Sequence, residues 1–267
     1  LVAPALLTIF LFFLYPLGFS VGSAFSDPVS GWSLGNFTKA FELYGTDILF
    51  TLVIVGLSTG ITALLAIAIG GYLTLGECDP AVAILRWLYR WPLFIPFIVA
   101  GQIMRSFLAK NGLLNHALIE LGLLTPLQSQ SFLDWRGVIV AFVWKQTPFV
   151  TLMVAGAMAS LDRSLIEAAR NMGAGRLRIL ADIVVPLVRQ PLLVALVLSF
   201  VTMMSVLSVP VMINAGAPTM ITVDMAFRIT AYGDYGVANA LGCLSYLMTG
   251  AVAWIYLRHG GRRAEAA

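Results

Sequence analysis

The stretch Ser160–Pro191, SLDRSLIEAARNMGAGRLRILADIVVPLVRQP, is the longest run in this chain with the polar spacing of a water-facing, folded segment. Ser164 is followed three residues later by Glu167, the spacing at which a hydroxyl and a carboxylate reciprocally cap the first free amides of a helix. We therefore expect a helix to begin at Ser164 and to end at Gly173, where glycine permits a left-handed turn. A second short helix is expected to run from about Arg176 towards Pro186, which can lie only at a break or in a first turn, because proline interrupts a helix beyond its first turn.

Composition places the chain in a membrane. Of its 267 residues, 60% are hydrophobic and 11% are charged, whereas soluble domains carry about 25% charged residues. Apolar runs of about 20 residues mark helices that span a bilayer. Six such runs occur: Val2–Ser23, Ile48–Leu75, Trp91–Leu108, Gly137–Ala159, Leu187–Asn214 and Gly236–Leu257. We therefore predict an all-α polytopic membrane protein with about six transmembrane helices, its residues 1–267 forming a single transmembrane domain.

The first apolar run can be mistaken for a secretion signal. It is longer than the apolar core of a signal peptide, and it lacks a clear small-residue cleavage site. The chain also begins with Leu1 rather than Met, so we expect a cytosolic leader to precede it.

The arginines indicate which loops face the cytosol, since basic residues near span ends remain on that side. Those that fall in alternate loops and in the tail are Arg86, Arg90, Arg163, Arg170, Arg176, Arg178, Arg189, Arg258, Arg262 and Arg263. The sequence therefore predicts that both termini and the segment 160–186 are cytosolic. This distribution explains the net charge of +3 without any nucleic-acid partner.

Prolines and amphipathic spacing predict several departures from simple spans. Two prolines in the opening Trp91–Pro96 of the third run predict a bend. Residues 36–41 predict a short surface helix before the second run, and Leu113–Leu124 predicts another on the outer membrane surface. Asp224 and Arg228 lie four residues apart, and so on one face if that loop is helical.

The segment 160–186 also carries a pattern that resembles a known family. The pattern consists of Glu167-Ala168-Ala169, Gly173-Ala174, Ile183 and Val185-Pro186. It is similar to the EAA loop of permease subunits of binding-protein-dependent ABC importers. Leu180 stands where an aromatic residue is usual and Val185 where leucine is usual, and both remain apolar. The stretches 91–96, 111–115 and 144–149 also resemble such permeases, so the resemblance covers most of the chain from the second run onward.

The resemblance implies the type I fold of maltose transporters and a coupling loop that docks into a groove of a cytosolic ATPase. The residues that it assigns to coupling are Ser164, Glu167, Ala168, Ala169, Arg170, Met172, Gly173 and Ala174. It implies as partners a second permease subunit, identical or homologous, two ATPase subunits, an extracytoplasmic solute-binding protein and membrane lipid. The location that it implies is the bacterial cytoplasmic (inner) membrane.

ATP is expected on a partner and not on this chain. A phosphate-binding loop requires Gly-Lys followed by Ser or Thr, and no lysine here follows a glycine. ATP and magnesium are therefore assigned to the ATPase, and we expect this chain to be non-catalytic and to bind no cofactor. Its two histidines, His116 and His259, are predicted on opposite sides of the membrane, which predicts no metal site.

Polar residues within apolar runs are costly, so they suggest a function. Those that we expect along a solute path, with two flexible methionines, are Lys145, Gln102, Met203, Met204, Ser205 and Ser208. Lys145 alternatively pairs with backbone that Pro148 frees from the helix, and residues 203–208 alternatively serve helix packing. Arg105 is expected to extend towards the headgroups.

The transported solute is predicted from weaker similarities. Gly112–Asn115, Ser208–Pro210 and Tyr235–Ala238 most resemble permeases for polyamines, opines and phosphonates, so a small polar solute of that kind is the first expectation. A sugar importer is the alternative. An ion-coupled secondary transporter is a remote alternative, disfavoured because none of the 13 acidic residues lies near a span centre.

Overall fold

The computed structural model describes residues 2–27 and 31–260. Nearly all of that part is helical. Its helices are α1 (Ala3–Ala24), α2 (Gly35–Leu75), α3 (Asp79–Leu88), α4 (Phe97–Leu108), α5 (Leu113–Glu120), α6 (Trp135–Ala159), α7 (Arg163–Asn171), α8 (Arg176–Ser205), α9 (Ser208–Ile213), α10 (Ile221–Tyr232) and α11 (Tyr235–Gly260). Two short 3-10 turns, Trp91–Phe94 and Pro126–Gln128, and an antiparallel pair of two-residue strands, β1 (Ser26–Asp27) and β2 (Gly31–Trp32), complete the described structure.

Five of these helices are long and apolar enough to cross a membrane, and a bent pair makes a sixth candidate span. The bent pair consists of Asp79–Phe94 and Phe97–Glu120, which meet at 109°. Ile95 is extended at the bend, and Pro96 precedes the first residue of α4. The predicted all-α polytopic fold and the predicted bend are therefore confirmed. The helix bends here because Pro96 cannot supply the amide hydrogen bond that would continue the preceding turn.

The surface helix predicted before the second span is not a separate element. Residues 35–75 form one continuous helix of 41 residues, α2. Asn36 anchors its first turn, because its side-chain nitrogen donates to the carbonyl oxygens of Ala24 at 3.1 Å and of Ser26 at 2.9 Å. Ala40 and Ile48 are buried farther along the same helix. Tertiary contacts thus extend the helix across a stretch whose polar composition suggested a loop.

Pro186 lies in a first turn, one of the two positions that the sequence allows. The α-helical part of α8 that contains it begins at Val185, and a π-helical turn, Leu180–Val184, joins that part to Arg176–Ile179. There the amide of Val185 donates to the carbonyl oxygen of Leu180, five residues back instead of four. Such a turn widens the helix where the proline lacks its own donor and crowds the preceding turn, so the helix continues.

Contacts divide the chain into two compact units, Leu1–Leu52 with Ala217–Ala251 and Val53–Gly216 with Val252–Ala267. The first has a core of Ala24, Ala40, Ile48, Ile221, Val237, Ala240 and Leu241. The second has a core of Ala66, Leu75, Val150, Val154, Met158, Ile166, Ala169, Ile179, Val184, Val188, Leu192 and Ala195. This second core joins the ends of α2 and α6 to α7 and α8, and it thereby positions the segment 160–186.

Candidate functional site

Helix α7 begins at Arg163, one residue earlier than the sequence indicates. Its cap is Asp162, whose carboxylate accepts a hydrogen bond of 2.9 Å from the backbone amide of Ser164. The predicted capping box of Ser164 and Glu167 is therefore wrong, since Ser164 already lies within the helix. A carboxylate is the stronger cap because it also meets the positive end of the helix dipole. The same hydrogen bond lowers the pKa of Asp162.

The end of α7 agrees with the prediction. Gly173 adopts a left-handed conformation with φ of +81°, and its amide donates to the carbonyl oxygen of Arg170 at 2.9 Å. The amide of Ala174 then donates to Ala169 at 3.0 Å. A side chain at Gly173 would meet no atom of this chain within 4 Å, so a substitution there is opposed by backbone strain and not by crowding within the subunit.

Helix α7 has one face packed and one face free. Ile166 and Ala169 are buried in the core of the second unit, and Arg170 donates through Nη2 to the carbonyl oxygen of Leu75 at 3.3 Å. Leu165 and Met172, seven residues apart, are exposed beside this packed face, since Ala169 lies four residues after Leu165 and three before Met172. Leu177 at the start of α8 is exposed as well, so that Met172 and Leu177 show 84% and 83% of their surface. We call Leu165, Met172 and Leu177 the docking face.

The eight residues predicted for coupling do not all lie on exposed surface. Those with exposed side chains or backbone are Ser164, Glu167, Ala168, Arg170, Met172 and Gly173, whereas Ala174 is half-buried and Ala169 is buried. Ala169 therefore holds the helix in place and cannot contact a partner directly. A notch of about 340 Å³, lined by Met172, Gly173, Ala174 and Arg178 among others, lies where α7 meets α8.

Lys145 is 8% exposed within α6. Its ammonium donates to the carbonyl oxygens of Pro92 at 2.7 Å and of Leu93 at 3.1 Å, and it lies 5.2 Å from the ring centroid of Phe97. The ammonium thus binds two carbonyl groups of the 3-10 turn at the start of the bent third span. The expectation that it pairs with backbone freed by Pro148 is wrong, because these partners lie more than 50 residues away in the sequence.

The other residues predicted for the solute path fall into two groups. Met203 and Met204 are buried inside the subunit, as Lys145 is. Gln102 and Ser205 are exposed and Ser208 is half-buried. Ser205 and Ser208 flank the break between α8 and α9, where Val206 has extended backbone.

The side chain of Arg105 was expected to extend towards the headgroups, but it contacts another helix of the same chain. Its Nη1 donates to the carbonyl oxygen of Met212 in α9 at 3.1 Å. The neighbouring Gly101 lets α4 approach α9 closely, since a Cβ there would lie 2.9 Å from Cβ of Met212. These two contacts hold α9 against α4.

Two polar residues are buried although the sequence did not predict their burial. Gln146 is buried next to Lys145, and its Nε2 has no hydrogen-bond partner within the described part of the chain. Asp224 in α10 is 6% exposed, and its Oδ1 accepts a 2.6 Å hydrogen bond from the Thr219 hydroxyl. Burial raises the pKa of Asp224 to about 6. The only sequence signal for either was a polar residue among apolar neighbours.

Helix α10 confirms that Asp224 and Arg228 lie on a helix, but the two side chains bind different partners. Arg228 donates through Nε to the hydroxyl of Tyr44 at 2.6 Å and lies 3.6 Å from the carboxylate of Asp234. Asp47 accepts from the amide of Thr219 at 2.8 Å. Over residues 2–27 and 31–260, no group of three or more His, Cys, Asp or Glu side chains could hold a metal ion.

Comparisons with known proteins bear on this arrangement. A family model described as "Binding-protein-dependent transport system inner membrane component" matches residues 48–258. The chain is 26% identical to the sulfoquinovosyl glycerol transport system permease protein SmoG of Agrobacterium fabrum, over 97% of this chain and 88% of the relative. It is 28% identical to the trehalose/maltose permease protein MalF of Thermococcus litoralis, over 72% and 67%. It is 29% identical to the sn-glycerol-3-phosphate permease protein UgpA of Yersinia pseudotuberculosis, over 89% and 83%.

Solved structures share the fold. A chain of a bacterial alginate ABC transporter, crystallised with an alginate-bound periplasmic protein, superposes with a TM-score of 0.79 at 21% identity, over 97% of this chain and 93% of that one. A chain of the MetNI methionine ABC transporter gives a TM-score of 0.61 at 18% identity, over 82% and 94%.

Proposed function

Because the chain belongs to the family of inner membrane components of binding-protein-dependent transport systems, we propose that α7 transmits the movement of a partner ATPase to a path for a sugar or glycerol phosphate. Membership makes the chain a multi-pass permease subunit of a binding-protein-dependent ABC importer with the type I fold. The coupling element, the path residues and the solute are the proposals argued below.

The docking face carries the coupling proposal. A helix of nine residues is too short to be stable alone in water, and α7 is held from one side by Ile166 and Ala169. Next to these two residues, Leu165 and Met172 present large exposed apolar side chains on a segment that the arginine distribution predicts to be cytosolic. Exposed apolar surface of this kind marks a contact with another protein. The partner that fits an importer permease is the ATPase, which would hold ATP and magnesium.

Coupling of this kind produces alternating access. When two ATPase subunits close on ATP, they draw the docked α7 helices together and turn the solute cavity outward, towards the loaded binding protein. This chain contributes one such segment. A path between two coupled subunits therefore requires a second permease, identical or homologous.

The solute path is assigned to polar residues at the subunit surface. A path between two permeases runs along surfaces that are exposed in a single subunit. Gln102 and Ser205 are exposed within membrane-spanning helices, where contact with lipid would be costly, and Ser208 follows Ser205 across the break between α8 and α9. Lys145, Met203 and Met204 are buried within the subunit, so we assign them no direct contact with the solute.

The names of the relatives favour a sugar or a glycerol phosphate as the solute. Sulfoquinovosyl glycerol, trehalose or maltose and sn-glycerol 3-phosphate are named for the three relatives above. These names support the sugar alternative better than the first expectation of a polyamine, an opine or a phosphonate. Such solutes are rich in hydroxyl groups, which the amide of Gln102 and the hydroxyls of Ser205 and Ser208 can bind.

Uptake by reconstituted vesicles tests this assignment. The complex, purified through a tag on this chain with its ATPase and second permease, is supplied with its binding protein and with labelled trehalose, glycerol 3-phosphate or spermidine. We expect uptake of the sugar or of the glycerol phosphate, dependent on ATP and on the binding protein. Uptake of spermidine alone, or uptake driven by an ion gradient without ATP, would overturn the proposal.

A further inference from the structure

A cavity of about 710 Å³ lies beside α7, on the side opposite the docking face. The residues of α7 that line it are Arg163, Ile166, Glu167 and Arg170. At 100° per residue these four share one face of the helix, and Leu165 and Met172 lie on the other. The cavity therefore lies on the other side of α7 from the docking face, although two of the residues predicted for coupling, Glu167 and Arg170, line it. Its remaining walls come from the end of α2, from α3 and from the last turns of α6.

The cavity carries an excess of positive charge. Four arginines line it, namely Arg86, Arg90, Arg163 and Arg170. Three acidic residues, Glu77, Asp79 and Glu167, also line it, but Glu77 is ion-paired with Arg176, which lies outside the cavity, so four arginines face two remaining carboxylates. Asp79 lies in the first turn of α3, where the helix dipole stabilises its charge. Within the described residues, neither Arg86 nor Arg163 forms an ion pair, so both guanidinium groups are available to an anion.

Helix α3 and the turn after it connect this cavity to the membrane surface. Ile84, Trp87, Leu88 and Trp91 have the spacing of one helical face, and all four are exposed. The rings of Trp87 and Trp91 pack edge to face with centroids 4.6 Å apart. Arg86 and Arg90 lie on the opposite face and line the cavity. A short helix with tryptophans on one face and arginines on the other is typical of elements that lie in a membrane interface.

We propose that this cavity binds the headgroup of an anionic phospholipid from the cytoplasmic leaflet. The apolar face of α3 lies among the acyl chains, and Arg86 and Arg90 reach back from it towards the lipid phosphate. Arg163 and Arg170 approach the phosphate from α7, on the other wall. Ala155 and Gly156 of α6 leave room at the floor for the glycerol backbone. Basic pockets on the cytoplasmic side of membrane proteins are suited to such headgroups, because anionic lipids are concentrated in that leaflet.

Lipid retention by the purified full chain tests the proposal. The chain is delipidated in detergent and titrated with palmitoyl-oleoyl phosphatidylglycerol or with the zwitterionic phosphatidylcholine of the same chains, and bound lipid is counted by native mass spectrometry. The wild-type chain should retain one phosphatidylglycerol in preference to phosphatidylcholine. Arg86→Gln/Arg90→Gln should weaken that binding by about fivefold for each arginine removed. Arg163→Gln, which removes one arginine from the other wall, should weaken the binding about fivefold.

Arg189→Gln provides the matched control, because Arg189 carries the same charge but does not line the cavity, and it should leave binding unchanged. Equal retention of the two lipids by the wild-type chain would overturn the proposal, as would equal losses in the cavity variants and the control. Displacement of phosphatidylglycerol by millimolar glycerol 3-phosphate would also overturn it, since the cavity would then take a free anion. Uptake activity does not enter this test, so its outcome is independent of the coupling and solute proposals.

Discussion

Lys145 illustrates how one side chain can stabilise a broken membrane span. Replacing it with methionine leaves the carbonyl oxygens of Pro92 and Leu93 without their charged donor. We expect Lys145→Met to lower the free energy of unfolding by about 2 kcal/mol, the scale of a buried hydrogen bond to a charged group. The measurement is the midpoint of thermal unfolding in detergent.

Gln102→Met is the matched control for this prediction, since Gln102 lies in α4 of the same bent span and is exposed. It should leave the unfolding midpoint unchanged and reduce uptake if the path runs past α4. An unchanged midpoint for Lys145→Met, together with lost uptake, would instead place Lys145 in the path.

Asp224 predicts a pH dependence of stability. Burial raises its pKa to about 6, the charge of Asp47 acts in the same direction, and the hydrogen bond from Thr219 opposes both. Because this value exceeds the unfolded pKa of about 4, the folded chain binds the proton more tightly. The contribution of Asp224 to stability therefore falls as the pH rises from about 4 to about 6, and it is constant above that window.

Asp224→Asn tests this dependence, because asparagine keeps an oxygen acceptor for the Thr219 hydroxyl but carries no charge. The variant should have a higher unfolding midpoint than the wild-type chain at about pH 7, and the difference should vanish below about pH 4. The measurement is the thermal unfolding midpoint of the variant and of the wild-type chain between about pH 4 and about pH 7. A variant that is less stable than the wild-type chain at neutral pH would show that the ionised carboxylate is needed.

The cap of α7 is the most sensitive feature at the scale of elements. Asp162→Ala removes the acceptor for the amide of Ser164, so the first turn should fray, whereas Ser164→Ala should have little effect. Hydrogen exchange of the amides of residues 164–171 measures both. The lowered pKa of Asp162 means that its stabilising contribution is present above the unfolded pKa of about 4 and is lost as the pH falls through the folded value. Loss of protection in Ser164→Ala but not in Asp162→Ala would restore Ser164 as the cap.

Hydropathy predicted which helices this fold contains better than it predicted where those helices begin and end. The bilayer thickness imposes runs of about 20 apolar residues, so the spans could be identified from composition alone. Local chemistry also predicted the bend at Pro96 and the left-handed end of α7 at Gly173. Spacing placed the cap of α7 at Ser164, however, whereas the structure has it two residues earlier, at Asp162. Pro186 lies in a first α-helical turn, as the sequence allowed, but the π-helical turn that joins it to the preceding residues was not predicted.

The candidate site was predictable where its signals are local. The segment 160–186 was identified from residues within one short stretch. The partners of Lys145 lie more than 50 residues away, and no local pattern specifies them. Which face of α7 remains exposed likewise depends on the ends of α2 and α6, which bury Ile166 and Ala169.

The orientation of the whole molecule in the membrane follows from its arginines and can be tested by labelling. In a Cys78→Ser background, Ser160→Cys should react with an impermeant thiol reagent only from the cytoplasmic face. Leu127→Cys is the matched control, because Leu127 is 99% exposed beyond the opposite end of α6, and it should react only from outside. Labelling of position 160 in intact cells would contradict the topology.

The central claim is that the end of α7 transmits the movement of an ATPase. Gly173→Asp introduces backbone strain of about 1 kcal/mol and places a charged side chain beside the docking face. Gly122→Asp is the matched control, since Gly122 has a similar φ of +70° and open space around it, and it lies outside the segment 160–186. Both variants should insert and pair with the second permease.

The decisive measurement is ATP hydrolysis by the reconstituted complex, with and without solute-loaded binding protein. The wild-type complex and the Gly122→Asp complex should be stimulated by the loaded binding protein, and the Gly173→Asp complex should remain at its unstimulated rate. Full stimulation of the Gly173→Asp complex, with solute uptake at the wild-type rate, would contradict the claim that coupling runs through α7.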